Sequence, residues 1–151
     1  MAWRDFDELS PDEQRLVRSK ARAFIFFASI LMMIFGFSNV YEGIAWLIKD
    51  DEFISTNIAY PSNLTPTIVL SLMLGGFEMF CALGTIRLSY TAWRTSFFAT
   101  PLLLVQALIS TFVFRGWFLG FGSYTALALT ALIFILLYLG RTAVLYKEET
   151  N

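Results

Sequence analysis

Apolar residues in this chain gather into four long blocks separated by short stretches of charge, Pro or Gly, and do not alternate with polar residues as in a half-buried strand. A bilayer core needs about 20 mostly apolar residues per helix. The blocks run from about residue 23 to 48, 67 to 86, 97 to 114 and 121 to 140. This pattern predicts an all-α integral membrane protein, a four-helix bundle of transmembrane helices. The first block is long enough to tilt or to extend past the hydrocarbon. The last two are separated only by Arg115, Gly116, Trp117, Phe118, Leu119 and Gly120, which predicts an antiparallel hairpin with an interface-seeking aromatic turn.

Ahead of the first block, Ser10, Pro11, Asp12 and Glu13 carry a helix-start signature. Ser10 is the N-cap, Pro11 the first helical residue, and Glu13 closes a capping box. A short N-terminal amphipathic helix is expected here, lying along the inner membrane surface or running directly into the first span. Arg15, Arg18 and Arg22 recur on one face of it. They suit docking to anionic lipid or to a partner, although ordinary anchoring at the interface asks for the same residues.

Charge then sets the orientation. Arg4, Arg15, Arg18, Lys20, Arg22, Arg87, Arg94, Arg141 and Lys147 would all fall on one side, whereas only Lys49 and Arg115 would fall on the other. By the positive-inside rule, both termini are expected in the cytoplasm. The expected division is a cytoplasmic tail over residues 1–22, a transmembrane domain over 23–140 and a second cytoplasmic tail over 141–151. No cleavable signal is expected, because the first 22 residues are polar and the apolar run that follows exceeds a signal core. The expected location is the inner or plasma membrane.

Composition narrows the chemistry. Of 151 residues, 57% are hydrophobic and 15% charged, against roughly 25% charged in ordinary soluble chains, which excludes a water-soluble domain. Eleven Lys and Arg against twelve Asp and Glu give a net charge of -1, without the basic excess of a nucleic-acid binder. Histidine is absent, removing the commonest metal ligand. The single cysteine, Cys81, lies mid-span and reads as a small packing residue, since thiols in apolar surroundings are inert. No nucleotide-binding, metalloprotease or hydrolase motif occurs. A non-enzyme without cofactors is therefore expected.

The informative residues are the polar ones inside the spans: Asn39 and Glu42 in the first, Glu78 in the second and Gln106 in the third. A charge near the bilayer centre costs from about 3 kcal/mol upward, so such groups need partners. At 1.5 Å per residue, Glu78, Asn39 and Gln106 lie about 16, 13 and 12 Å below the outer span ends, within reach of one layer. Glu42 lies about 9 Å deep and shares a face with Asn39. Ser71, Gly75, Glu78, Ala82 and Thr85 recur at intervals of four and three, so Glu78 centres a face of small or weakly polar residues. Small residues let helices approach closely in lipid. A neutral Glu78 is then expected to donate a hydrogen bond to Gln106 or Asn39.

Arg115, at the outer end of the third span, can reach toward Glu42 or the acidic run Asp50 to Glu52, or simply snorkel beside Trp117. The outer segment from Lys49 to Pro66 contains a weak glycosylation sequon at Asn63. Two functional readings follow. The first is a non-catalytic accessory or assembly subunit that packs its spans against other membrane subunits, with Glu78 fixing helix pairing. The second is a small proton- or cation-coupled transporter or channel that uses Glu78 and Glu42, with Asn39 and Gln106 as ligands. The spans lack a second acid at their inner halves to complete a path, which favours the first.

Overall fold

The computed structural model describes residues 9–48, 64–113 and 123–148, and among these there are helices and no strand. They form α1 (Pro11–Leu47), α2 (Leu64–Ile86), α3 (Tyr90–Val113), α4 (Ser123–Leu139) and α5 (Arg141–Glu148). Two of them, α1 and α2, are long and apolar enough to cross a membrane, and α4 carries a shorter apolar stretch over Thr125–Leu139.

The start of α1 follows the chemistry read from its sequence. Ser10 Oγ accepts from the Glu13 backbone N–H, and the Glu13 carboxylate accepts from the Ser10 N–H at 2.9 Å. Asp12 and Glu13 also place negative charge on the positive end of the helix dipole. Among the described residues there is no separate short N-terminal helix, and of the two courses expected for the capped start it takes the second, running directly into the first span. One unbroken helix of 37 residues runs from Pro11 through the first apolar block. No Pro or Gly lies between Pro11 and Gly36, and Gln14 to Ala23 are mostly good helix formers. At 1.5 Å per residue this helix is about 55 Å long, well beyond a hydrocarbon core of about 30 Å. The third helix likewise starts at Tyr90, seven residues before the apolar block, and the tail after residue 140 begins as α5.

Packing follows chain order. Its largest contact joins α1 to α2, followed by α2 with α3; α4 packs on both α1 and α3, and α5 returns to α1. From α1 to α4, consecutive helices are antiparallel, because residue numbers rise on one and fall on the other across each seam. Across α1 and α2, Gly36 meets Gly75 and Gly43 meets Leu72 and the Ile68 carbonyl. A β-carbon on either Gly36 or Gly75 would sit 2.6 Å from the other's carbonyl oxygen. The two backbones therefore touch here, the approach that small residues allow when no water-driven effect holds helices together. Ala28, Met32 and Phe35 of α1 are buried in a core with Cys81 and Ala82 of α2, Leu103 of α3 and Ile133 and Leu137 of α4.

The α2–α3 turn is tight. Ser89 N–H donates to the Gly84 carbonyl and Leu88 N–H to that of Thr85, closing α2 in a Schellman-like cap with Leu88 at φ 58°. A leucine there costs of order 1 kcal/mol relative to glycine. Its side chain packs against the core, which offsets that cost. Gly84 faces the Ala92 methyl so closely that no side chain fits there. At the same end, the Trp93 indole donates to the Leu137 carbonyl at 3.0 Å, and Phe97 lies against Phe134. These contacts fix α3 on α4.

Candidate functional site

The face of α2 read from its spacing is its buried face: Ser71, Gly75, Glu78, Ala82 and Thr85 all point inward, whereas Phe77 and Phe80 are exposed. Three of these five are polar and sit seven residues apart, at Ser71, Glu78 and Thr85. Each meets a polar side chain of α3. The Gln106 amide donates to Ser71 Oγ at 2.6 Å and to the Thr67 carbonyl at 3.3 Å. Thr100 Oγ1 donates to Glu78 Oε1 at 2.8 Å. Thr85 and Ser96 hydroxyls are 3.2 Å apart, and Ser96 already donates to the Ala92 carbonyl, so Thr85 is the donor between them. The seven-residue repeat keeps all three rungs on one seam, as in left-handed helix pairing.

The four candidate polar residues are all interior. Asn39, Glu78 and Gln106 have no exposed surface and Glu42 has 2%. They do not form one layer. The α1–α2 register, fixed by Gly36 with Gly75 and Gly43 with Leu72, places Glu42 level with Ser71. Gln106 joins this upper level through Ser71. Glu78 lies seven residues further along α2, about 10 Å away at 1.5 Å per residue. Asn39 falls between the two levels, its Cβ against Gly75.

The partners differ from those expected. Glu78 does not donate to Gln106 or Asn39: it accepts from Thr100, while Asn39 Nδ2 donates to the Phe35 carbonyl of its own helix at 2.9 Å. The reason is the layer offset, which carries Gln106 two helical turns away from Glu78. Thr67, Ser96 and Thr100 are site residues that sequence reasoning did not single out, whereas Thr85 was on the face read from spacing. A spacing signal existed for α3, because Ser96, Thr100, Leu103 and Gln106 recur at intervals of four and three and are all buried.

The seam also keeps acceptors unmet. Among the described residues, neither oxygen of Glu42, nor Glu78 Oε2, nor Asn39 Oδ1 has a hydrogen-bond donor, although all are buried. The Trp46 indole, one turn on from Glu42, is the side-chain donor that faces that carboxylate. No group of three His, Cys, Asp or Glu side chains stands together among the described residues. Cys81 is buried with a free thiol.

Basic residues occupy one end of the packed helices. Arg22 of α1, Arg87 and Arg94 around the α2–α3 turn, and Arg141 at the start of α5 lie together there, by the antiparallel register and by Gly140 packing on Ile25 and Ala21. Arg141 stands over the Tyr138 ring at 4.1 Å, a cation–π contact. Of the expected anchors, Arg15 and Arg22 are exposed on α1 and Arg18 is half-buried. Arg115 lies outside the described residues, as do the acidic run at Asp50 to Glu52 and the sequon at Asn63. No family model, curated protein or solved structure matches this chain.

Proposed function

We propose that the chain is a four-span helical bundle with both termini in the cytoplasm, acting as a non-catalytic accessory or assembly subunit that packs its helices against other membrane subunits. The span reading draws support from two long apolar helices and the apolar stretch of α4. The orientation draws support from the cluster of Arg22, Arg87, Arg94 and Arg141 at one end, the charge bias expected of a cytoplasmic face.

The observation that carries the assembly reading is Gly76. It lies on the exposed face of α2, and a β-carbon there would meet nothing within 4 Å. Glycine inside a helix costs about 1 kcal/mol relative to alanine, and packing among the described residues gives nothing back at this position. Between exposed Met73 and Phe80, it forms a notch into which a neighbouring helix can fit, as small residues do in membrane interfaces. Mild-detergent extraction of the native membrane is expected to recover the chain with stoichiometric partner proteins. Gly76→Leu should release them while leaving the unfolding midpoint of the isolated chain unchanged. Recovery of a lone chain in both cases removes the reading.

The topology has its own test. A cysteine replacing Ser55 should react with a membrane-impermeant reagent from outside, and one replacing exposed Ser89, in a Cys81→Ala background, only after the membrane is opened. Reaction of both from one side contradicts the orientation. The second functional reading, a small proton- or cation-coupled transporter or channel using Glu42 and Glu78, is favoured by the unmet buried acceptors at those residues.

A further inference from the structure

We propose that the α1–α2 seam, between the Glu42–Ser71 level and Asn39 one turn of α1 below it, holds a small monovalent cation of sodium size, ligated by the Glu42 carboxylate, Asn39 Oδ1 and Ser71 Oγ. The proposal concerns occupancy of the seam and does not require either assembly or transport.

The argument begins with the kind of groups left over. Asn39 commits its amide protons to the Phe35 carbonyl, so what it offers the seam is an oxygen. Ser71 receives the Gln106 amide on its hydroxyl oxygen and keeps a further lone pair. Glu42 brings two buried oxygens, which the Trp46 indole one turn on faces as a single N–H donor, so at least one of them keeps open lone pairs. The level is therefore rich in acceptors. A buried acceptor without a partner costs about 1–3 kcal/mol, more for a charged group, and the natural complement of an all-oxygen set is a hard cation.

Charge decides between classes of cation. Among the described residues, no Lys or Arg lies between Ala23 and Ile48 of α1, or anywhere on α2. Glu42 therefore has no described cationic side chain from either helix of the seam. One carboxylate balances one positive charge. The second, Glu78, stands about 10 Å further along by the helical rise and already accepts from Thr100. Calcium takes 6–8 oxygens and magnesium a near-octahedral set, usually with more than one carboxylate or several waters. The site offers a single carboxylate with an amide and a hydroxyl oxygen, and three acidic ligands come together nowhere in the described structure.

Position supports a bound ion rather than a passing one. The site lies between two helices whose backbones touch at Gly36 and Gly75, one to two turns away. Side chains anchored beside such a crossing have little freedom to swing out to water.

The test uses the full chain in lipid nanodiscs. With choline holding ionic strength constant, radioactive sodium is expected to bind saturably at one site per chain, and sodium should raise the thermal unfolding midpoint. Glu42→Gln and Asn39→Leu should abolish both responses, and Ser71→Ala should weaken binding by about tenfold or more. Glu78→Gln should leave binding within a factor of a few. Direct binding to the unmodified protein decides the matter even if the Glu42 variant does not fold. Absence of saturable sodium binding overturns the proposal, as does binding that survives Asn39→Leu and Ser71→Ala together. So does a midpoint that responds to acid alone or to loss of Lys49 or Arg115, since a proton or a side-chain cation would then serve Glu42.

Discussion

Gly75→Ala is expected to lower the stability of the folded chain by about 2 kcal/mol, within the range typical of overpacking, whereas Gly76→Ala next to it should leave stability unchanged or raise it by up to about 1 kcal/mol. Both changes add one methyl group to the same helix. At Gly75 that methyl meets the Gly36 carbonyl oxygen at 2.6 Å and the Asn39 Cβ at 3.0 Å. The first of these is backbone and cannot rotate aside. To restore ordinary contact, α1 and α2 would have to part by nearly 1 Å, and dispersion contacts along the seam weaken steeply over such a gap. At Gly76 the methyl enters open space, so only the gain in helix propensity remains. Reversible unfolding of each variant in mixed micelles measures both changes. Gly36→Ala should match Gly75→Ala, and the double variant should cost less than the sum, because helices already parted pay little for the second methyl. Equal effects at Gly75 and Gly76 would mean that the close crossing does not exist.

That contrast shows where sequence reasoning reached and where it stopped. Spacing alone identifies Ser71, Gly75, Glu78, Ala82 and Thr85 as one face, and leaves Gly76 off it, because helical geometry fixes which residues of one helix stand together. The capping box at Ser10 and Glu13 was legible for the same reason, being local. Partners across a seam follow no such rule. Ser29, Ser38, Thr95 and Thr130 each donate to the carbonyl four residues back on their own helix, a common choice for hydroxyls in helices. Thr100, of the same chemical kind, reaches across to Glu78. Nothing in residue type separates it from Thr95 or Thr130; the separation comes from the antiparallel register of α2 on α3. Depth estimates from the span ends carried errors of the same origin. The outer span ends, taken as level, are not: Gln106 bonds Thr67 and Ser71 near the start of α2, so it sits with Ser71 and not with Glu78. The continuity of α1 was likewise open in sequence, since a capped amphipathic start is compatible with either a bend or a straight run.

The two sides of the Glu78–Thr100 bond are expected to respond very differently to removal. Thr100→Val keeps the shape of the side chain and deletes the donor, so Glu78 Oε1 joins Oε2 as a buried oxygen without a described partner. Leaving a buried acceptor unsatisfied costs about 1–3 kcal/mol, and bonds between membrane helices measure at most about 1.7 kcal/mol in double-mutant cycles. A loss of about 1–2 kcal/mol follows. Glu78→Leu instead removes the expensive group and fills a similar volume, while the orphaned Thr100 hydroxyl has a local alternative in the Ser96 carbonyl one turn back. Its cost should therefore be small or even negative, in keeping with buried ionic groups that are replaced by apolar ones. The double variant should resemble Glu78→Leu. Unfolding of all four proteins in one micelle composition gives the coupling energy directly. The opposite order, with Glu78→Leu far more damaging than Thr100→Val, would mean that the carboxylate serves a partner other than Thr100. That partner would have to approach through Oε2, the side of Glu78 that the packed helices leave unbonded.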